Sequence, residues 1–299
     1  MRILVLGGNG MLGHKLVERL QNNFEVFTTV RSKSSAIGLM KIFDGRRIFE
    51  NVEADILNSV QTVVERLKPN VIINCIGIIK QLPTSKDVVK TLRVNSIFPH
   101  LLQELSQNYN ARLVTISTDC VFNGQTGNYR ETDISDAADL YGKSKNLGEV
   151  AAENCLTVRT SIIGRELETA HSLVEWFLSS DGGKVKGFSK AIYTGFPTIV
   201  LADIIKNLIE NFPRLSGLYH VSSEPINKYD LLCLIKEAYK LEIRIEKDEE
   251  FQIDRSLNSD KFRKEVNWHP QGWREMIEMM ANDPTPYREI RKHLNVSRH

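Results

Sequence analysis

The sequence predicts an α/β fold: a doubly wound parallel sheet with a smaller, interlocked α/β lobe for the substrate. Two observations lead there. Val- and Ile-rich apolar runs alternate with helix-patterned segments through the first half of the 299 residues. Several of those runs are apolar on both faces, the mark of strands covered by helices above and below. Such alternation implies right-handed βαβ units. After Thr160 the pattern changes, with no internal repeat and no low-complexity linker. A second lobe that shares segments with the first is therefore expected, with residues 1–160 forming the first and residues 161–299 mainly the second.

Strands are expected at residues 3–6, 25–30, 47–53, 71–75, 112–117 and 156–160. Helices are expected at residues 11–22, 59–67, 88–108 and 140–154. Pro99 inside the third of these predicts a kink or a late helix start, because proline has no N–H to give. In the second lobe, residues 166–180, 198–211 and 228–241 read as helices, 181–183 as a turn and 184–193 as an irregular strand. Residues 217–221 read as a strand that rejoins the first sheet.

Composition narrows the function. An apolar content of 41% suffices for a buried core, and the net charge of +2 comes from interspersed signs. That balance argues against dedicated nucleic-acid or membrane binding. Lys184, Lys186 and Lys190 read as a solvated face. Cys75, Cys120, Cys155 and Cys233 have no metal-ligand spacing, so no metal site is expected and a reducing compartment fits. A strand-like run begins directly after Arg2, so no signal peptide is expected, and no apolar stretch is long enough to span a bilayer. A cytoplasmic protein is expected, with a homodimer compatible with the reading.

The chemistry is concentrated in three places. Gly7, Gly10 and Gly13, with Asn9, Met11 and Leu12 between them, form a glycine-spaced turn from a strand into a helix. Such a turn lets the backbone approach a pyrophosphate, which then meets the free N–H groups of the helix start. Tyr141 and Lys145 stand one helical turn apart on one face. A lysine there favours the phenolate and lowers a pKa normally near 10. Thr118 ends an apolar strand, where α/β sheets place their ligands. Together these point to a hydride-transferring enzyme.

The Gly7-x-x-Gly10-x-x-Gly13 turn, Ser117-Thr118-Asp119-Cys120-Val121-Phe122-Asn123-Gly124, Tyr141-Gly142-Lys143-Ser144-Lys145 and Arg159-Thr160-Ser161 carry a resemblance. The chain resembles the extended short-chain dehydrogenase/reductase family, within it the dTDP-4-dehydrorhamnose reductase group. The resemblance is strong up to about Gly164. It implies a Rossmann-type first domain and a reductase of nucleotide-linked 4-keto sugars. It also implies that Tyr141 donates the proton, that Lys145 binds the nicotinamide ribose, and that Asn95 is structural.

NADPH is the expected cofactor, with NADH as the alternative. The second strand ends in Arg31 and Ser32, which suit a 2′-phosphate, and lacks the carboxylate that would hold a free ribose hydroxyl. Asp55 and Ile56 are candidates for the adenine edge, and Cys75, Ile76 and Gly77 for the ribose and nicotinamide side. Substrate candidates are Thr118, Asp119, Cys120, Arg159, Ser161, His171, Lys186, Phe196 and Arg255, the last to pair with a diphosphate. Trp176, Trp268 and Trp273 read as core or lobe-packing residues. Cys120 also opens an alternative, a combined epimerase/reductase, although the partner histidine has only an incomplete match in His171. A further alternative is a non-catalytic, NADP-binding regulatory subunit like the β subunit of methionine adenosyltransferase.

Overall fold

The computed structural model describes residues 1–80 and 83–294. The first half runs β1 (Arg2–Leu6), α1 (Gly13–Leu20), β2 (Glu25–Thr29), α2 (Lys33–Ile37), β3 (Ile48–Phe49), α3 (Leu57–Leu67), β4 (Val71–Asn74), α4 (Val88–Leu92), α5 (Phe98–Asn108), β5 (Arg112–Thr118), α6 (Leu140–Leu147) and β6 (Cys155–Thr160). The second half runs β7 (Ile162–Ile163), α7 (Leu173–Ser179), β8 (Lys184–Tyr193), β9 (Phe196–Pro197), α8 (Thr198–Asn211), β10 (Gly217–His220), β11 (Ile226–Asn227), α9 (Lys228–Tyr239), β12 (Arg244–Asp254), α10 (Asp260–Val266), α11 (Trp273–Ala281) and α12 (Tyr287–His293).

Seven strands form one sheet in the order β10-β6-β5-β4-β1-β2-β3, and every pair is parallel. Ile3 to Leu6 and Val71 to Asn74 are buried at every position, as strands covered on both faces must be. The strand order reverses between β1 and β4, which opens a crevice at their carboxyl ends. β10 rejoins the sheet beside β6, with Gly217 opposite Leu156, so the later half is stitched into the first. One core cluster accordingly runs from Ile3 and Leu16 through Phe177 and Leu201 to Ile290.

Several boundaries differ from expectation. β3 shrinks to two residues, and α1 starts only at Gly13 because residues 7–12 are the turn. α6 stops at Leu147, where Gly148 lies against α5's approach; a Cβ on Gly148 would sit 1.9 Å from the Asn95 carbonyl oxygen. That carbonyl has no N–H from Pro99, and the chain widens into a π turn over Arg93–Ile97 before α5 begins. Residues 166–172 form a loop instead of helix, with the Glu166 carboxylate accepting from the His171 and Ser172 amides. β12 was not expected, since Arg-Ile-Glu-Lys-Asp-Glu-Glu lacks apolar alternation; it pairs in parallel with β8. Lys184 and Lys186 reach diagonally to Glu246 and Asp248 at 2.6 and 3.0 Å, a neutralised outer face. Trp268 and Trp273 pack as expected, but Trp176 is 42% exposed and serves no core. No helix among the described residues is long and apolar enough to cross a membrane.

Candidate active site

The glycine turn is shaped by close approach. Gly7 has φ +80°, and a Cβ on Gly13 would fall 2.1 Å from the Gly7 carbonyl oxygen. Only glycine allows α1 to start so near β1. No side chain caps the start of α1; His14 N is taken by the Gly10 carbonyl at 3.1 Å, and the N–H groups of Met11, Leu12 and Gly13 remain for an anion. These residues fit the pyrophosphate of a dinucleotide. The turn is propped from behind. His14 Nδ1 donates to the Gly10 carbonyl at 2.8 Å, and its Nε2 meets the Tyr287 hydroxyl of α12 at 2.8 Å. Burial, with the Lys15 charge beside it, lowers His14 to about 3 and keeps it neutral. Lys15 is buried in an ion pair with Asp283 at 2.6 Å.

The turn after β4 closes the other side. A Cβ on Gly7 would lie 3.0 Å from Ile76, and one on Gly77 would lie 4.0 Å from Lys145 Nζ. Asn95 pins this turn by accepting from Ile78 N at 2.8 Å and donating to the Ile78 carbonyl at 3.0 Å. It also donates to Ser144 on α6 at 3.1 Å, a structural role of the expected kind. Cys75 lies in the same turn, its thiol pushed up to about 12 by burial.

α6 supplies Tyr141 and Lys145. Asp139 caps it, accepting from Gly142 N at 2.9 Å and from Lys80 Nζ at 2.7 Å. A Cβ on Gly142 would lie 2.2 Å from the Cys120 carbonyl oxygen, so α6 presses against the end of β5. There the Thr118 hydroxyl donates to Asp119 Oδ1 at 3.0 Å and accepts from Cys120 N at 3.1 Å. Tyr141 departs from expectation. Burial, reinforced by Cys120, pushes its phenol above the ordinary 10, against a hydrogen bond to Thr118. Lys145 instead donates to the Ile116 carbonyl at 2.7 Å. Burial draws Lys145 down to about 8, with Glu149 and Cys75 opposing. The phenol therefore stays protonated at neutral pH, the form a proton donor needs.

On the cofactor side, Arg31 is exposed at the end of β2. Ser32 caps α2, accepting from Ser35 N at 3.3 Å. Glu168 was not anticipated. It arrives from the 166–172 loop and accepts from Asn9 Nδ2 at 3.0 Å, with Arg31 close enough to act on its carboxyl. Asp55 is half-buried after β3 with Lys90 3.9 Å away, and Ile56 is exposed.

The substrate candidates divide. Asp119, Cys120, Ser161 and Arg255 lie around the end of β5; Arg255 donates to the Phe122 carbonyl at 2.9 Å, and its charge reaches Asp119. Four others do not join them. Arg159 is buried and held by Glu149 at 2.6 Å, beside His220 and the Phe122 ring. Lys186 is spent on Asp248, roughly 20 Å along β8 from Tyr193. Phe196 is fully buried against Trp268. His171 is an exposed loop residue. Lys80, Asp139 and Lys228 were missed; only Asp139, a cap two residues before Tyr141, had a local signal.

This arrangement of a phosphate turn, a strand-end threonine and a Tyr–Lys helix defines the short-chain dehydrogenase/reductase class, NAD(P)H-dependent oxidoreductases. The chain belongs to the RmlD family: the model described as RmlD substrate binding domain matches residues 1–285. The chain is 28% identical over 291 residues to the spore coat polysaccharide biosynthesis protein SpsK of Bacillus subtilis, covering 92% of this chain and 95% of the relative. It is 30% identical to the methionine adenosyltransferase 2 subunit beta of Pongo abelii, covering 80% of this chain and 72% of that one. A crystal structure described as a hypothetical dTDP-4-dehydrorhamnose reductase from Sulfolobus tokodaii is similar at TM-score 0.76 and 26% identity, over 91% of this chain and 98% of that one. A dTDP-4-dehydrorhamnose reductase of Bacillus anthracis, solved in complex with NADP, has a similar fold at TM-score 0.76 and 23% identity, over 93% of this chain and 98% of that one.

Proposed function

We propose that the chain reduces the 4-keto group of a nucleotide-linked 4-keto-6-deoxyhexose with NADPH. The sugar would be of the dTDP- or UDP-4-dehydrorhamnose type, N-acetylated rhamnosamine forms included, for a surface polysaccharide. Residues 1–160 hold the cofactor in this reading, and residues 161–299 mainly the sugar nucleotide. The observation that carries it is the convergence of Thr118, Tyr141 and Lys145 beside the turn that abuts Gly7. NADPH, when bound, would supply the hydride. Thr118 polarises the ketone by hydrogen bonding, Tyr141 gives its proton to the oxygen, and Lys145 binds the nicotinamide ribose. Asp119, Cys120, Ser161 and Arg255 are further substrate contacts, Arg255 through the diphosphate. Asn9, Met11, Leu12, Asp55, Ile56, Cys75, Ile76 and Gly77 border the cofactor.

Oxidation of NADPH with a panel of dTDP- and UDP-4-keto sugars in D₂O tests the reading. Turnover is expected without deuterium entering the ring carbons beside the ketone. Epimerisation needs a base, and the Cys120 thiol is pushed up to about 11 by burial and Asp119, while His171 is exposed. Deuterium incorporation that Cys120→Ser abolishes would instead make this an epimerase/reductase. The methionine adenosyltransferase relative favours a second reading, an NADP-binding subunit. NADP binding with no oxidation by any sugar would select it.

Arg31→Ala is expected to weaken NADPH binding about 10- to 100-fold, the worth of a charge-assisted bond, and to leave NADH nearly unchanged. Fluorescence titration with both cofactors checks this. Equal loss for both would remove Arg31 from cofactor selection.

A further inference from the structure

We infer that Lys228 is a substrate-contacting residue whose ammonium takes an oxygen acceptor on the hexose, beside the ketone. This deepens the ketoreductase reading and rests on it. The placement follows from the backbone. β11 pairs antiparallel to the end of β8, with Ile226 opposite Tyr193. Asn227 caps α9, accepting from Asp230 N at 2.8 Å, and Lys228 is the first residue of the helix. Its Nζ stands 4.7 Å from the centre of the Tyr193 ring. The Tyr193 hydroxyl in turn reaches Ser161: a Cβ on Gly195 would lie 2.1 Å from that hydroxyl and 2.2 Å from the Ser161 carbonyl oxygen. Ser161 follows Thr160, the register partner of Thr118. Lys228 is thus carried to the same end of the sheet as Thr118 and Asp119.

Its surroundings demand a ligand. Lys15, Lys80 and Lys186 each have a carboxylate at 3.0 Å or less. Among the described residues, the Lys228 ammonium has the aromatic face alone, with neither an ion pair nor a hydrogen bond. It is half-buried, and burial lowers its pKa against the opposing charges of Asp119 and Cys120. An ammonium carries three donors and loses free energy when they go unmatched out of water. The neighbouring Asp119 decides what matches them. A diphosphate here would set its charge against the carboxylate. A hydroxyl or acetamido oxygen of the sugar can accept from Lys228 without that repulsion.

Calorimetric titration of the NADP-loaded protein with UDP, dTDP, UDP-N-acetylglucosamine and dTDP-glucose separates the possibilities. Lys228→Met is expected to weaken both hexose nucleotides about 10- to 100-fold and to leave UDP and dTDP unchanged. Lys228→Arg should recover part of the loss. NADP affinity reports that each variant is folded; if Lys228→Met loses it, the Lys228→Arg titration decides, with a loss confined to the hexose nucleotides supporting the role. Equal weakening of UDP and of its hexose form would overturn the assignment, as would no weakening of either. Wild-type protein that binds no hexose nucleotide would sink the ketoreductase reading as a whole. Normal wild-type binding with unaffected variants would sink only the role of Lys228.

Discussion

Tyr141→Phe is expected to lower turnover of the 4-keto sugar by about 10²- to 10⁴-fold, the usual share of acid–base catalysis. NADPH affinity should stay close to wild type. The substitution removes one hydroxyl and leaves the ring beside Lys80, 5.5 Å from its centre. Burial holds the phenol protonated well past neutral pH, so in the wild type the proton is in place when the ketone arrives. Steady-state kinetics with a separate cofactor titration read the two effects apart. Unchanged turnover would remove Tyr141 from the chemistry. Lost cofactor affinity would show that the hydroxyl also shapes the nicotinamide side.

Arg159→Ala is expected to destabilise the fold by about 3–5 kcal/mol, the cost of leaving a buried charge without its partner. Arg159 holds Glu149 through two bonds of 2.7 and 2.6 Å, and Glu149 also accepts from Ser117 at 2.6 Å. Glu149 lies just past α6, one turn beyond Lys145, so this knot ties the helix of the Tyr–Lys pair to β5 and β6. Urea unfolding measures the loss. Replacing both partners with apolar residues of similar volume should restore much of it. A stable Arg159→Ala protein with a raised KM for the sugar nucleotide would return Arg159 to the substrate side.

Arg159 also shows where sequence reading stops. At the end of a strand pointing to the cleft, an arginine looks like a phosphate ligand. Nothing local says that Glu149, ten residues earlier, will turn back to claim it. Lys186 fails in the same way, since its partner sits on β12, a strand whose charged sequence hides it. Phe196, expected at the substrate, is core, and Trp176, expected in the core, is exposed, because burial is decided by which elements pack against a segment. The tyrosine pKa went astray for a related reason: helical spacing gives the direction of Lys145 but not the depth of burial around Tyr141. What was legible is what short-range geometry dictates. The glycine spacing, the strand-end threonine, the Tyr–Lys turn and the fully apolar strands each need only a few neighbouring residues. The return of residues 217–220 to the sheet was legible as well, from its strand pattern after a long helix.

The contact between His14 and Tyr287 bridges a separation of 273 residues. A contact of such span exists only when the two ends of the chain have been brought together, and closing so long a loop costs chain entropy. The phosphate turn, though written in the first residues of the sequence, thus has its full support only when α12 has docked. An isolated fragment of residues 1–160 would carry every glycine of the turn and still lack its prop. Retention on an immobilised nucleotide would then act as a proofreading step for purified material, passing chains folded from end to end. A ligand that binds only this finished form adds to its stability in proportion to concentration, so a pool of NADPH would also guard the docked terminus against proteases.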